Sequence, residues 1–153
     1  MPSPLAIKAR LLAHCRAETD ARIRGLTDAL AGIEASRNAE TKSSAGDKFE
    51  TGRAMMQMEE AKLNRQLAEA LTVRNTLDQI KAEGGTDRVA AGSLVATNRG
   101  NYFLGVGLGK VTLDKRVFFC TSLESPVGRQ LLGKQVGERF EYNELTFEVK
   151  GMV

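Results

Sequence analysis

Tryptophan is absent from the 153 residues of this chain, histidine occurs once, at His14, and cysteine twice, at Cys15 and Cys120. With one imidazole and no CxxC spacing, the chain lacks the ligands of a zinc site and the partner that a Cys/His nucleophile needs. Any metal would have to be held by carboxylates. Long apolar runs are also missing: none approaches the roughly 20 residues that cross a bilayer, which excludes a spanning helix. The stretch Met1-Pro-Ser-Pro-Leu-Ala-Ile-Lys-Ala-Arg holds no uninterrupted apolar segment followed by a small-residue cleavage site, so a cytoplasmic location is expected. An excess of either charge is wanting as well. Lys and Arg number 22 against 19 Asp and Glu, and a net charge of +3 is too small to bind nucleic acid by its field alone. The length permits one medium domain or two small ones and excludes a large enzyme, and 42% hydrophobic residues are too many for wholesale disorder.

What is present falls into two parts. Residues 1–83 hold 4 of the 15 glycines and one of the eight Phe and Tyr; residues 84–153 hold the other 11 glycines and seven aromatics. The first part is rich in Ala, Leu, Arg, Glu, Lys and Gln, which lose little rotamer freedom in a helix, and the second in Val, Phe and Gly, as in short strands with tight turns. Gly84-Gly85-Thr86-Asp87 reads as the linker, with Gly84 as a C-cap.

In the first part Leu12, Cys15, Thr19, Ile23, Leu26, Leu30 and Ile33 recur at steps of three and four, and Met56, Leu63, Leu67, Ala70, Leu77 and Ile80 do the same after a break at Lys42-Ser43-Ser44-Ala45-Gly46. Each stripe is narrow, so the two helices are expected to bury stripe against stripe in an antiparallel coiled-coil hairpin, with Arg16 and Arg74 snorkelling from the seam. An arm of about 33 residues at 1.5 Å each reaches roughly 50 Å, more than a helical pair needs for stability. The second part alternates β-formers between Gly, Asn and Asp in segments starting at Gly92, Asn101, Lys110, Arg116 and Glu144, which predicts an antiparallel sheet. Ser125-Pro126-Val127-Gly128-Arg129-Gln130-Leu131-Leu132-Gly133 interrupts it with a hydroxyl N-cap, a proline at the first helical position and a terminal glycine, so a short helix should cover the sheet. The fold class is α+β.

The turn between the long helices carries Asp47 and Glu50, two carboxylates three residues apart. Pointing off the tip together, they could hold a hard divalent cation such as Mg2+, weakly, until a second component completes the site. The same spacing suits an Asp N-cap with Glu at N3, which satisfies orphan amides and complements the helix dipole.

Gly46-Asp47-Lys48-Phe49-Glu50 resembles the Gly-Asp-x-x-Glu of the Gre-type bacterial transcript cleavage factors. The run from Ser125 to Gly133, continued by Lys134-Gln135-Val136-Gly137-Glu138, resembles their C-terminal signature. The resemblance covers nearly the whole chain. It implies a coiled-coil hairpin over 1–83 and an FKBP-like, RNA polymerase-binding domain over 84–153. It further implies that the chain is not itself an enzyme; a monomer is expected, although exposed seams could pair between chains. The C-terminal domain would dock at the mouth of the secondary channel of bacterial RNA polymerase through Glu124, Ser125, Pro126 and Arg129. The hairpin would carry Asp47 and Glu50 to the polymerase active centre, where they stabilise a second Mg2+. The polymerase then cleaves the transcript whose 3′ end backtracking has extruded. Gre tips typically continue Asn-Ala-Glu-Tyr, whereas Thr51-Gly52-Arg53-Ala54 stands here, and Lys48 takes a position usually apolar. From Arg37 to Arg53 four basic residues (Arg37, Lys42, Lys48, Arg53) face three acidic ones (Glu40, Asp47, Glu50). The net +1 suits Lys42, Lys48 and Arg53 to an RNA phosphate, and the alternative reading is a channel-occupying regulator that does not promote cleavage.

Gly105-Val-Gly-Leu-Gly109 mimics a phosphate loop, but strand-like sequence surrounds it and no helix follows, so turns or bulges are expected and no bound cofactor. Met55, Met56 and Met58 read as seam and flank residues of the second helix, and Arg10, Arg22 and Arg24 as one basic side of the pair. His14 and Cys15 read as structural.

Overall fold

The computed structural model describes residues 3–41, 46–81 and 87–153, with side chains omitted for 40–51. The break at 42–45, with Lys42, and the Gly84-Gly85 linker lie outside the described residues. Two long helices, α1 (Pro4–Thr41) and α2 (Gly46–Gln79), precede six strands and one short helix: β1 (Leu94–Thr97), β2 (Gly100–Gly105), β3 (Gly109–Leu113), β4 (Arg116–Ser122), α3 (Pro126–Leu131), β5 (Arg139–Tyr142) and β6 (Leu145–Met152). No helix among the described residues is long and apolar enough to cross a membrane.

The chain forms two compact units, Ala17–Arg74 on the one hand and Met1–Arg16 with Asn75–Val153 on the other. Both long helices therefore pass from one unit into the other, and the expected boundary at 83/84 falls among residues that are not described. The physical reason for grouping the helix ends with the sheet is burial: Ile7, Leu11, Leu12 and Cys15 from α1, Leu77 near the end of α2 and Ile80 just after it are core residues.

α1 begins where its sequence can satisfy the first orphan amides. Ser3 accepts from the Ala6 N–H at 3.2 Å through Oγ and from the Ile7 N–H at 3.0 Å through its carbonyl, and Pro4 occupies the first helical position, where no N–H is required. The helices run antiparallel, since partners rise along one as they fall along the other: Arg16 with Leu77, Asp20 with Arg74, Arg37 with Glu60. The expected stripes face the seam, with Thr19 and Ala70 buried and Ile23, Leu26, Leu30, Ile33, Met56, Leu63 and Leu67 half-buried. Met55 and Met58, by contrast, are exposed. Arg16 and Arg74 do more than snorkel: the Arg16 guanidinium donates to the Leu77 carbonyl at 3.3 Å, and Arg74 Nε lies 2.8 Å from Asp20 Oδ1.

The sheet order is β3-β4-β2-β1-β6-β5. It is mostly antiparallel, and the expectation of a fully antiparallel sheet fails at its centre: β2 and β4 are parallel, with Phe103 opposite Cys120. β4 returns from the β3 hairpin and inserts between β3 and β2, so two reversals restore the direction of β2. The sequence reading also missed β5, whose Arg139-Phe140-Glu141-Tyr142 alternates charge and aromatic and pairs with β6 so that Phe140 stacks on Phe147 at 4.9 Å. The hairpins β3–β4 and β5–β6 turn on Asp114-Lys115 and Asn143-Glu144, all four at positive φ, as a tight twisted connection requires. Val89, Val95, Leu104, Leu131, Phe140, Phe147 and Val149 form the core on which α3 rests through Leu131.

Candidate functional site

The residues that resemble known motifs occupy two places. Asp47 and Glu50, expected in the turn between the helices with Asp47 as an N-cap, instead lie inside α2 as its second and fifth residues, because the helix already begins at Gly46; three positions apart, they are neighbours at its start. A first-turn position places negative charge against the positive end of the helix dipole, which accounts for acidic residues there whatever else they do. Lys48 shares that turn, Arg53 follows in α2 with its side chain exposed, and Lys42 is outside the described residues. Oxygen donors of this kind fit a hard cation that keeps much of its water, and two of them leave most of its coordination to another molecule. Among the described residues, no group of three or more His, Cys, Asp and Glu could hold a metal.

The second place is the segment from Ser122 to Lys134, and here local chemistry explains each residue type. Ser125 has extended backbone, its hydroxyl accepts from the Gly128 N–H at 3.0 Å, and the same hydroxyl donates to the Ser122 carbonyl at 2.8 Å. A cap of this kind contributes about 1 kcal/mol. Pro126 starts the helix. A Cβ on Gly128 would collide with the Ser122 carbonyl oxygen and sit 2.8 Å from Ser125 Oγ, so only glycine lets the first turn of α3 close on the end of β4. At the other end, the Gly133 N–H donates to Val89 O and the Val89 N–H to Lys134 O, each at 2.8 Å, and Arg88 donates to Gly133 O at 3.1 Å. The expected helix thus forms as Pro126–Leu131, with Gly133 at φ +83°. Pro126 and Arg129 of α3 and Glu124 before its cap are exposed, while Ser125 is half-buried and committed to the cap.

Two features escaped the sequence reading. Arg10, expected on a basic side of the helices, binds Asp114 of the β3–β4 turn, with Nη1 to Oδ2 at 2.5 Å. That hydrogen bond and the attached charge raise the Arg10 pKa and hold the Asp114 carboxyl below the ordinary range. Glu148 is lowered likewise, first by its bond from Lys150 and then by that from Arg139. Cys15 and Cys120, 105 residues apart and offering no spacing signal, have their sulfurs 3.7 Å apart in the interior. The glycine run 105–109 is the connection from β2 to β3, as its strand context suggested. Comparison with protein-family models, with curated proteins and with solved structures found no match.

Proposed function

We propose that the chain is a Gre-type elongation factor that binds bacterial RNA polymerase and promotes cleavage of backtracked transcripts. The observation that carries this reading is the start of α2 at Gly46, with Asp47 and Glu50 among the first five residues of one member of an antiparallel helix pair. The order of parts lends support: helix pair first, then a sheet with one short helix, read here as the FKBP-like docking domain. In this reading Glu124, Pro126 and Arg129 contact the polymerase, Ser125 holds them in place through its cap, and Lys42, Lys48 and Arg53 lie near the extruded RNA. Asp47 and Glu50 would help hold a Mg2+ shared with the polymerase active centre, which would supply charge to offset the leaving oxygen and an activated water. The contribution of this chain is to present two carboxylates to that ion; the cleavage itself belongs to the polymerase.

The test is transcript cleavage on a stalled, backtracked elongation complex across Mg2+ concentrations. The native chain accelerates cleavage, and Asp47→Asn reduces that acceleration by orders of magnitude while moving the melting temperature little, because Asn keeps the shape of Asp and a charge near an exposed helix N-terminus contributes only about 0.5 kcal/mol. A second reading is favoured by the charge of the Arg37–Arg53 stretch, +1 where an acidic balance would retain a cation better. On that reading the factor occupies the secondary channel without aiding cleavage. Binding to polymerase with no acceleration of cleavage decides for it; acceleration indifferent to Asp47→Asn removes the carboxylate role from the first reading, and failure to bind polymerase sinks both.

A further inference from the structure

We propose that Cys15 and Cys120 form a reversible oxidation site, closing to an intramolecular disulfide when a small oxidant of the peroxide class reaches them. Both thiols are buried, Cys15 at 0% and Cys120 at 2% exposure, and their sulfurs are already in contact at 3.7 Å. A disulfide bond is about 2.05 Å long, so the sulfurs need approach by only about 1.7 Å, within the range of side-chain rotation. Both residues lie in the same compact unit and on rigid elements, α1 and the internal strand β4, so their proximity does not depend on a loop. The β3 residue paired with Cys120 is Gly109, which carries no side chain to stand beside the sulfur, and a Cβ there would meet nothing within 4 Å. Burial of both sulfurs slows bulky thiol reagents, so the oxidant that suits the site is a small one.

The chemistry balances with hydrogen peroxide as oxidant. One cysteine sulfur attacks a peroxide oxygen, the O–O bond breaks, and the departing oxygen takes up the thiol proton as water, leaving a sulfenic acid. The second sulfur then attacks the sulfenic sulfur, the S–O bond breaks, and a second water leaves with the remaining thiol proton. Two thiols and one peroxide become one disulfide and two waters, and a dithiol reductant reverses the change. The bond joins α1 to β4 across a sequence separation of 105 residues, a long loop to close in the unfolded chain, so it stabilises the sheet-bearing unit and locks the Cys15 end of α1 onto it.

The experiment treats the full native chain with hydrogen peroxide and measures intact mass, disulfide-linked peptides and thermal unfolding, before and after dithiothreitol. Expected are a mass lower by two hydrogens and a linked peptide containing Cys15 and Cys120. The unfolding midpoint should rise by about 10 °C, and dithiothreitol should reverse all three changes. Cys15→Ser and Cys120→Ser, each checked for folding by circular dichroism, gain no internal link, while an aromatic disulfide reagent labels the native wild type far more slowly than the urea-unfolded chain. Oxygen adducts without a link, a link between two chains, or a link that forms only in urea overturns the proposal.

Discussion

Ile80 is seated against two glycines, Gly92 and Gly105. A Cβ on Gly105 would lie 2.6 Å from Ile80 Cδ1, and one on Gly92 2.9 Å from Ile80 Cγ2 at a backbone φ of +88°. These glycines are therefore the cavity into which the side chain that follows α2 is seated, and Ile80 itself is 6% exposed. Gly105→Ala should cost about 1–2 kcal/mol in urea unfolding, because the clash is with the end of a side chain. Ile80→Val, which removes the clashing methyl, costs about 1 kcal/mol alone. Combined, the two should cost at least about 1 kcal/mol less than their sum; strict additivity would show that Ile80 does not fill that space. Gly128 belongs to a harsher class, since its Cβ would meet backbone, the Ser122 carbonyl, which cannot swing away.

At the scale of the element, the helix pair is held by a seam that is dry at Thr19 and Ala70 and half-wet farther along, with ion pairs at its margins. Arg74–Asp20 and Arg37–Glu60 join side chains that are each about a third exposed, so each pair contributes only about 0.5 kcal/mol and serves to set register. Thr19 is the weak point of the seam. Its hydroxyl is buried and finds no hydrogen-bond partner among the described residues. Valine has the same shape without the polar atom, and its helix propensity is close to that of threonine. Thr19→Val should thus stabilise the chain by about 1 kcal/mol, read as a rise in the urea midpoint at unchanged slope. A loss of stability would mean that ordered water satisfies the hydroxyl.

For the whole molecule, the carboxylates with lowered pKa values predict how stability follows pH. Asp114 is held down by Arg10, and Glu148 by Lys150 at 2.7 Å and Arg139 at 3.3 Å. A carboxyl whose pKa is lower folded than unfolded binds fewer protons when folded, so its contribution is complete above the ordinary value, about 4, and disappears as pH falls through the lowered folded value. Unfolding free energy should therefore decline on acidification below about pH 5, and Asp114→Asn should flatten part of that decline while lowering stability slightly at neutral pH. Because the group is exposed, added salt should shrink the difference between wild type and variant. An acid limb unchanged by Asp114→Asn and by Glu148→Gln would place the titrating groups elsewhere.

Residue order alone determined the helix pair, the later strands and the short capped helix, because each rests on local rules: a 3.6-residue stripe, alternation, and a hydroxyl followed by proline and glycine. The spacing of Asp47 and Glu50 could be read for the same reason, while their place inside α2 rather than in the turn came from where that helix starts. β5 was there to be read in Arg139-Phe140-Glu141-Tyr142, but four residues of alternation are too short a run to stand out. Tertiary structure decided the rest. The direction of β4 depends on where its hairpin inserts, the pairing of Arg10 with Asp114 on how α1 meets the sheet, and the meeting of Cys15 with Cys120 on both. Contacts between residues about a hundred positions apart leave no periodic trace, since burial constrains only the polarity and size of each partner and never its address.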